Sequence, residues 1–451
     1  MTIPTRSAPR YTIGALAAVF AAALLTAACG LLDTQQPNII DPGTLNSPAA
    51  AQSLRNGALA DFAFVKDGDG TQFVDGLILV AGLLSDEFVH STTPPSQQEI
   101  DQRTTATINP SLSDVYRNLH KARAGAELAA EALLQFPADT TTGSETPDIA
   151  EMQSIAGFTY LYFGEDFCSG VPFSKVRGDT LTFGQPETTP EIFTTALAKF
   201  DSALAQPGLA NDDGSITNLA LVGRARALLD LGQYTDAADA VVDVPTDFAY
   251  DTEHADSPLK LQNAIWSYTN SGLWSVSDLE GEVGLPYRSA NDPRVPYTDT
   301  EDTGLDLITP QFNLDKYPGA SAPVPVADGI EARLIEAEAQ LQAGNRSGMT
   351  AILNDLRHTA ISPALPNLST PGTQDAAVDQ LFSERGFWLY ATGHRLGDMR
   401  RLIRVYGRDS ESVFPTGAYH KNGTYGPDVN LPIPIEELNN SNSHGCIDRN
   451  A

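Results

Sequence analysis

The sequence predicts a mainly α-helical protein, a helical-repeat scaffold that carries a large irregular half. Three observations point there. Apolar residues recur at helical spacing through several long segments. Two helix hairpins of one design stand near residues 219–244 and 329–357. Between them, residues 247–326 are rich in Pro, Gly, Asp, Tyr and Trp and show almost no helical period.

Taken in order, the first 28 residues are a secretory signal. Arg6 and Arg10 precede an uncharged apolar run from Tyr11 to Ala28 that ends in small residues before Cys29. The ending Leu25-Thr26-Ala27-Ala28-Cys29 suits lipidation of the Cys29 thiol, with Thr26 where the usual box prefers Leu. An uncleaved membrane helix is the alternative, but the run is short for a span. Residues 29–48, with Pro37, Pro42, Gly43 and Pro48, read as an extended tether, and the globular domain covers 49–451.

Within that domain, Ala50–Phe64 and Phe73–Leu84 read as two antiparallel helices around the turn Asp67-Gly68-Asp69-Gly70. Leu112–Phe136 carries Val115, Leu119, Ala122, Ala126, Ala129 and Leu133 on one stripe and stops at Pro137; Ile149–Phe163 is a further helix. In the first hairpin Ala225 is followed seven residues later by Gly232, then by Tyr234 and Ala237. The second repeats the step from Ala337 to Gly344. Small residues let paired helices approach and Gly turns the chain, which is the design of a tetratricopeptide hairpin. A helix over Asp375–Tyr390 follows, with a basic continuation through Arg404 and a Gly/Pro-rich end of loops and short strands.

Composition excludes several functions. Lys and Arg total 28 against 57 Asp and Glu, a net charge of −29, so the surface repels nucleic acid and anionic headgroups but not neutral ligands. With Cys29 assigned to lipid, Cys168 and Cys446 remain. In an exported protein they are expected to pair, which would contribute about 4 to 5 kcal/mol on the chain-entropy model. Two separate thiols are the alternative. No CxxC, HExxH or paired-His motif suggests a metal, no G-x-S-x-G or phosphate loop suggests catalysis, and Asp67–Thr71 lacks the spacing of a calcium loop.

The segment Asn291-Asp292-Pro293-Arg294-Val295 resembles the SusD/RagB family, as do Ser383-Glu384-Arg385-Gly386-Phe387-Trp388-Leu389-Tyr390 leading into Gly393-His394-Arg395-Leu396-Gly397-Asp398-Met399-Arg400-Arg401, and the closing Leu431-Pro432-Ile433-Pro434-Ile435-Glu436-Glu437-Leu438-Asn439. The resemblance spans nearly the whole mature chain. It implies a SusD-like α/α superhelix of tetratricopeptide-type hairpins with a loop-rich ligand-binding half. It further implies a non-catalytic lipoprotein of the outer membrane, surface-facing in preference to periplasmic, that passes oligosaccharides to a SusC-type TonB-dependent transporter; some branches take peptides instead. Leu396 departs from the aromatic common at its position in the family, and Asp33 is the one acidic residue left just after the lipidated Cys.

Sugar rings offer apolar C–H faces, so a glycan site needs aromatic platforms beside amides and carboxylates. Trp266, Tyr268, Asn270, Trp274, Asp278 and Tyr287 are the candidate set, against the alternative that the aromatics pack the irregular half onto the helices. Phe73, Asp86, Glu87 and His90 form a second candidate lip. The cluster His394, Arg395, Asp398, Arg400 and Arg401 reads as structural, holding the last helix against the repeats. No cofactor or metal is expected, and a protein-binding scaffold and a hydrolase are the remaining function classes.

Overall fold

Thirteen α-helices and a set of short strands account for the regular structure of the described residues in a computed structural model, namely residue 2, 47–137, 146–177 and 180–451. The signal, Cys29 and nearly all of the tether lie outside the described residues. Among the described residues no helix is long and apolar enough to cross a membrane.

Helix α1 is Pro48–Asp67 and α2 is Leu77–Leu84, whose eight residues are all buried. Then come α3 (Pro95–Asp101), α4 (Pro110–Gln135), α5 (Asp148–Asp166) and α6 (Thr189–Leu204). The first hairpin is α7 (Ser215–Asp230) with α8 (Tyr234–Val241), and a short α9 covers Ala264–Asn270. The second hairpin is α10 (Gly329–Gln342) with α11 (Arg346–Thr359), followed by α12 (Gln374–Trp388) and α13 (Arg395–Arg404). Packing follows the chain: α1 lies on α4, then α4 on α5, α5 on α6, α6 on α7, α7 on α8, α8 on α10 and α10 on α11. That serial stacking is the helical superhelix.

Local chemistry sets the boundaries. The Asn109 side chain accepts from the Leu112 amide, 3.2 Å, and Pro110 occupies the first turn of α4. Thr188 and Glu191 close a capping box on α6. Asp328 accepts from the Glu331 amide, 2.6 Å, at the start of α10. Gly232 and Gly344, at φ +75° and +74°, take the left-handed conformation that ends the first helix of each hairpin.

Several boundaries differ from the sequence reading. Residues 73–76 form a turn, and α2 begins only at Leu77. The periodicity argument overlooks α3 and α6, although Thr188-Thr189-Pro190-Glu191 is a helix start written in the sequence. The basic continuation of α12 is a separate helix, because Ala391 (φ +55°) and Gly393 (φ +87°) turn the chain before α13. After α13 the described tail holds 3₁₀ turns at Ser410–Ser412 and Ile435–Asn439 and isolated bridges in place of the expected strands.

The stretch 247–326 is ordered by short antiparallel ribbons. Tyr297–Thr303 pairs with Pro310–Leu314, Ala249–Thr252 with Val324–Asp328, and Trp274–Val276 reaches back to Phe88–His90. Cys168 and Cys446 are bonded, S–S 2.05 Å, joining the end of α5 to the tail across a sequence separation of 278.

One close approach fixes the α5–α6–α7 packing. The Phe200 ring of α6 sits against Gly157 of α5 and Gly223 of α7; a Cβ added at Gly157 would lie 2.7 Å from the ring, and one at Gly223 would also clash with it. Gly to Ala inside a helix ordinarily gains about 1 kcal/mol, but here overpacking of about 1 to 3 kcal/mol wins. Gly223→Ala is therefore expected to lower the urea midpoint, and adding Phe200→Leu to recover part of it; an unchanged or raised midpoint in the single variant would show that the ring yields freely.

Candidate ligand-binding site

The irregular half is pinned to the helices by a buried ionic network. Arg395 of α13 holds Asp86 through two bonds, 2.6 and 2.8 Å, and Asp86 also accepts from the Leu285 amide, 2.8 Å. Asp398 accepts from Arg385 (2.7 Å) and Arg401 (2.8 Å), and Arg401 reaches Glu338 of α10 at 3.0 Å. Burial pushes the Asp398 carboxyl up, but the two guanidinium groups outweigh it and hold it well below the usual carboxylate range. His394 faces Arg226 at 2.9 Å and Glu331 at 3.2 Å, not Asp398; burial keeps it neutral.

On this support three of the six predicted binding residues become core. Trp274 is fully buried between Phe88 and Tyr268. Tyr268 is buried and donates its hydroxyl to Asp75, 2.8 Å. Tyr287 packs against Phe387 and Tyr390, fully buried. These rings turn no face to solvent and form no stacking platform. The physical reason is that ribbons, a seven-residue helix and turns bury little by themselves, so their largest aromatics anchor them to the frame.

The other three lie at the surface. Trp266 is half-buried on α9, and Asn270, one turn on, is exposed. Asp278 accepts from the Arg288 amide and from the Ser289 amide and hydroxyl, each at 3.0 Å. Of the second lip, Phe73 is 88% exposed and its neighbour Gln72 bonds Ser267 (2.9 Å) and Ser271 (2.7 Å), which ties that loop to α9. Asp86, Glu87 and His90 are buried and belong to the junction between the halves.

Asp278 lines a cleft of about 220 Å³ in the irregular half, with Glu280, Arg288, Phe312, His420 and Tyr425. The Arg288 guanidinium lies 3.6 Å above the centre of the half-buried Phe312 ring, and Tyr297 meets that ring edge-on. Beneath, the Glu280 carboxyl is buried near that of Asp101. Burial first, and the Asp101 charge second, raise Glu280 well above the carboxylate range. Tyr425 donates to Glu280 (3.0 Å) and Tyr419 to Asp101 (2.6 Å). The cleft thus gathers a half-buried ring with a guanidinium stacked on it, a carboxylate and a carboxyl of raised pKa within one small volume.

Sequence reasoning missed Arg288, Glu280, His420 and Tyr425. Arg288 and Glu280 carry no local signal, and His420 and Tyr425 show only as His and aromatic residues in the Gly-rich segment 415–426, which folds back so that Lys421 bonds Asp306, 2.7 Å, and the Thr92 carbonyl, 2.6 Å.

Residues 331–443 match the model of the SusD family. Over that stretch the chain is similar to the SusD family. Its fold over the remaining described residues agrees: a SusD superfamily protein of Bacteroides fragilis superimposes with a TM-score of 0.65 at 16% identity, covering 88% of this chain and 99% of that one. A SusD-like carbohydrate binding protein of Bacteroides vulgatus gives 0.64 at 12%, covering 88% and 98%. Surface glycan-binding protein A of Bacteroides thetaiotaomicron gives 0.66 at 12%, covering 88% and 97%. No curated protein has a significantly similar sequence. The matched stretch contains α12, α13 and the arginines of the ionic network on them, but not Asp86 or Arg226, and the cleft draws mostly on residues before it.

Glu87 makes the junction pH-sensitive. It accepts from the Ala391 amide, 2.7 Å, and burial raises its carboxyl to about 8. A raised carboxyl stabilises the fold fully below the unfolded value near 4.5, and that contribution is lost as pH rises through about 8. Glu87→Gln should flatten the fall in unfolding free energy between those limits relative to wild type, by about a few kcal/mol at the alkaline end; parallel pH profiles for the two proteins would refute the assignment.

Proposed function

We propose that this chain is a non-catalytic, lipid-anchored outer-membrane protein that captures oligosaccharides and passes them to a SusC-type TonB-dependent transporter. The observation that carries the ligand class is the cleft at Asp278, Arg288 and Phe312: a guanidinium stacked on a half-buried ring, a planar pair that a sugar can lie against, beside charged and neutral hydrogen-bonding groups, held on a rigid helical frame. Solved proteins of the same fold described as carbohydrate binding and surface glycan-binding support it. The exposed Phe73 and half-buried Trp266, on elements tied together through Gln72, would extend contact along a longer glycan. Anchoring through Cys29 and hand-over to a barrel are supported by the signal and lipobox and by the family. Capture followed by release calls for modest affinity, which an open cleft with few polar contacts provides.

The detergent-solubilised full-length protein, titrated calorimetrically with pooled neutral oligosaccharides, is expected to bind, and Phe312→Ala to bind about tenfold more weakly with an unchanged melting curve. Heat from peptides with none from saccharides would transfer the assignment to a peptide-binding member of the family. Cleavage of a bound sugar by a clean preparation would overturn the non-catalytic reading.

A further inference from the structure

A second cavity, of about 320 Å³, lies on the scaffold half. Its walls are α4, the segment Pro172–Ser174 that follows Cys168, and Pro434–Glu437 of the tail. The Cys168–Cys446 bond joins the two chain regions that supply those last walls, and backbone bonds from the Cys168 amide to the Leu431 carbonyl (2.9 Å) and from the Ile435 amide to the Thr107 carbonyl (2.9 Å) hold the tail in place. The cavity is therefore a built feature of the fold.

Its lining is apolar with a few polar groups. Pro172, Pro434 and Tyr116 are buried, and His120 packs edge-on to Tyr116, centroids 4.6 Å apart, and beside Phe163 at 4.4 Å. Two buried nitrogens among the lining side chains have no protein partner: Nε2 of His120 and Nε of Arg123. Buried polar atoms are seldom left unpaired without cause. Arg123 is 3% exposed, and its other nitrogens are satisfied by Glu127 and the Ser174 carbonyl, both 2.8 Å. Only its Nε–H, which lacks an acceptor, is left over.

Charge narrows the ligand. The Arg123 cation is already neutralised by Glu127, while Glu436 and Glu437 stand on the lining, so an anion gains no free positive charge. Burial lowers the His120 imidazole well below its usual value, leaving a neutral ring that offers one donor and one acceptor. What fits is neutral, ring-shaped and hydroxylated: apolar faces against the prolines and the aromatic edges, hydroxyls toward Arg123, His120 and the Glu436 carboxylate, which already accepts from Ser113 at 3.1 Å. We infer that this cavity between α4 and the disulfide-bound tail is a second binding site, for a single sugar ring or a polyol of that size, separate from the cleft at Phe312.

Saturation-transfer NMR on the full-length protein in detergent, with glucose, galactose, mannose and N-acetylglucosamine as probes, tests it. Ser113→Trp places a large ring at the half-exposed margin of the cavity, and His120→Phe keeps the aromatic stack while removing its nitrogens. Transfer to at least one sugar is expected in wild type, to persist in Phe312→Ala, and, with Phe312→Ala as the background so that the first cleft is disabled, to fall about tenfold or more on adding either cavity substitution with melting curves retained. Transfer that survives either folded cavity substitution in that background, or no transfer from any of the four sugars, overturns the second site. Transfer lost in Phe312→Ala alone also overturns it and leaves the first cleft standing.

Discussion

Everything in this fold that could bind a ligand depends on a set of charges that never meets solvent. Arg395 ties the last helix to Asp86, just after α2, and Asp86 also fixes Leu285 inside the irregular half. Arg385, Asp398, Arg401 and Glu338 bind α10, α12 and α13 into one block. Arg226 of α7 clasps Glu165 of α5 at 2.6 Å. Such pairs add little net stability over apolar packing, because desolvation cancels much of the attraction, but loss of one partner strands the other at a cost of about 3 to 5 kcal/mol. They therefore act on register: a helix displaced by one turn would leave several buried charges unpaired at once.

That role explains why the segment around Gly393–Arg401 is so polar yet so buried. Its hydrophobic neighbours alone would tolerate sliding, whereas guanidinium forks accept few geometries. The same logic reaches the irregular half through Arg294, which binds Asp292 at 2.7 Å and Glu384 of α12 at 2.7 Å while lying over Phe387 and Trp388. Short ribbons that could not fold alone thus inherit the rigidity of the superhelix.

How far the sequence shows this depends on the range of the interaction. Helices α1, α4, α5, α7, α8, α10, α11 and α12 are legible because period, caps and turn glycines are local, and the buried role of His394 and Asp398 follows from their place in the family pattern. The choice of partners does not: Asp398 lies four residues from His394 yet pairs with Arg385 and Arg401. Binding residues were harder still. Choosing the largest aromatics of residues 247–326 selects Trp274, Tyr268 and Tyr287, the rings with most to gain from burial. The cleft instead gathers Asp278, Arg288, Phe312 and Tyr425 from three separate chain segments, a convergence with no local signature.

The net charge of −29 takes on a spatial meaning once these contacts are known. Arg103, Arg123, Arg226, Arg294, Arg385, Arg395, Arg400 and Arg401 are all buried, so much of the small cationic complement faces inward. Many of their acidic partners are buried with them, but the surplus of carboxylates remains outside. The surface is thereby more uniformly acidic than composition alone conveys, and it repels anions over distances of about a Debye length, roughly 8 Å at physiological salt. Neutral ligands cross that field without penalty. A chain that places its arginines inside to hold two halves together leaves its outer clefts to aromatic faces and hydrogen bonds, the chemistry that suits uncharged, hydroxyl-rich molecules.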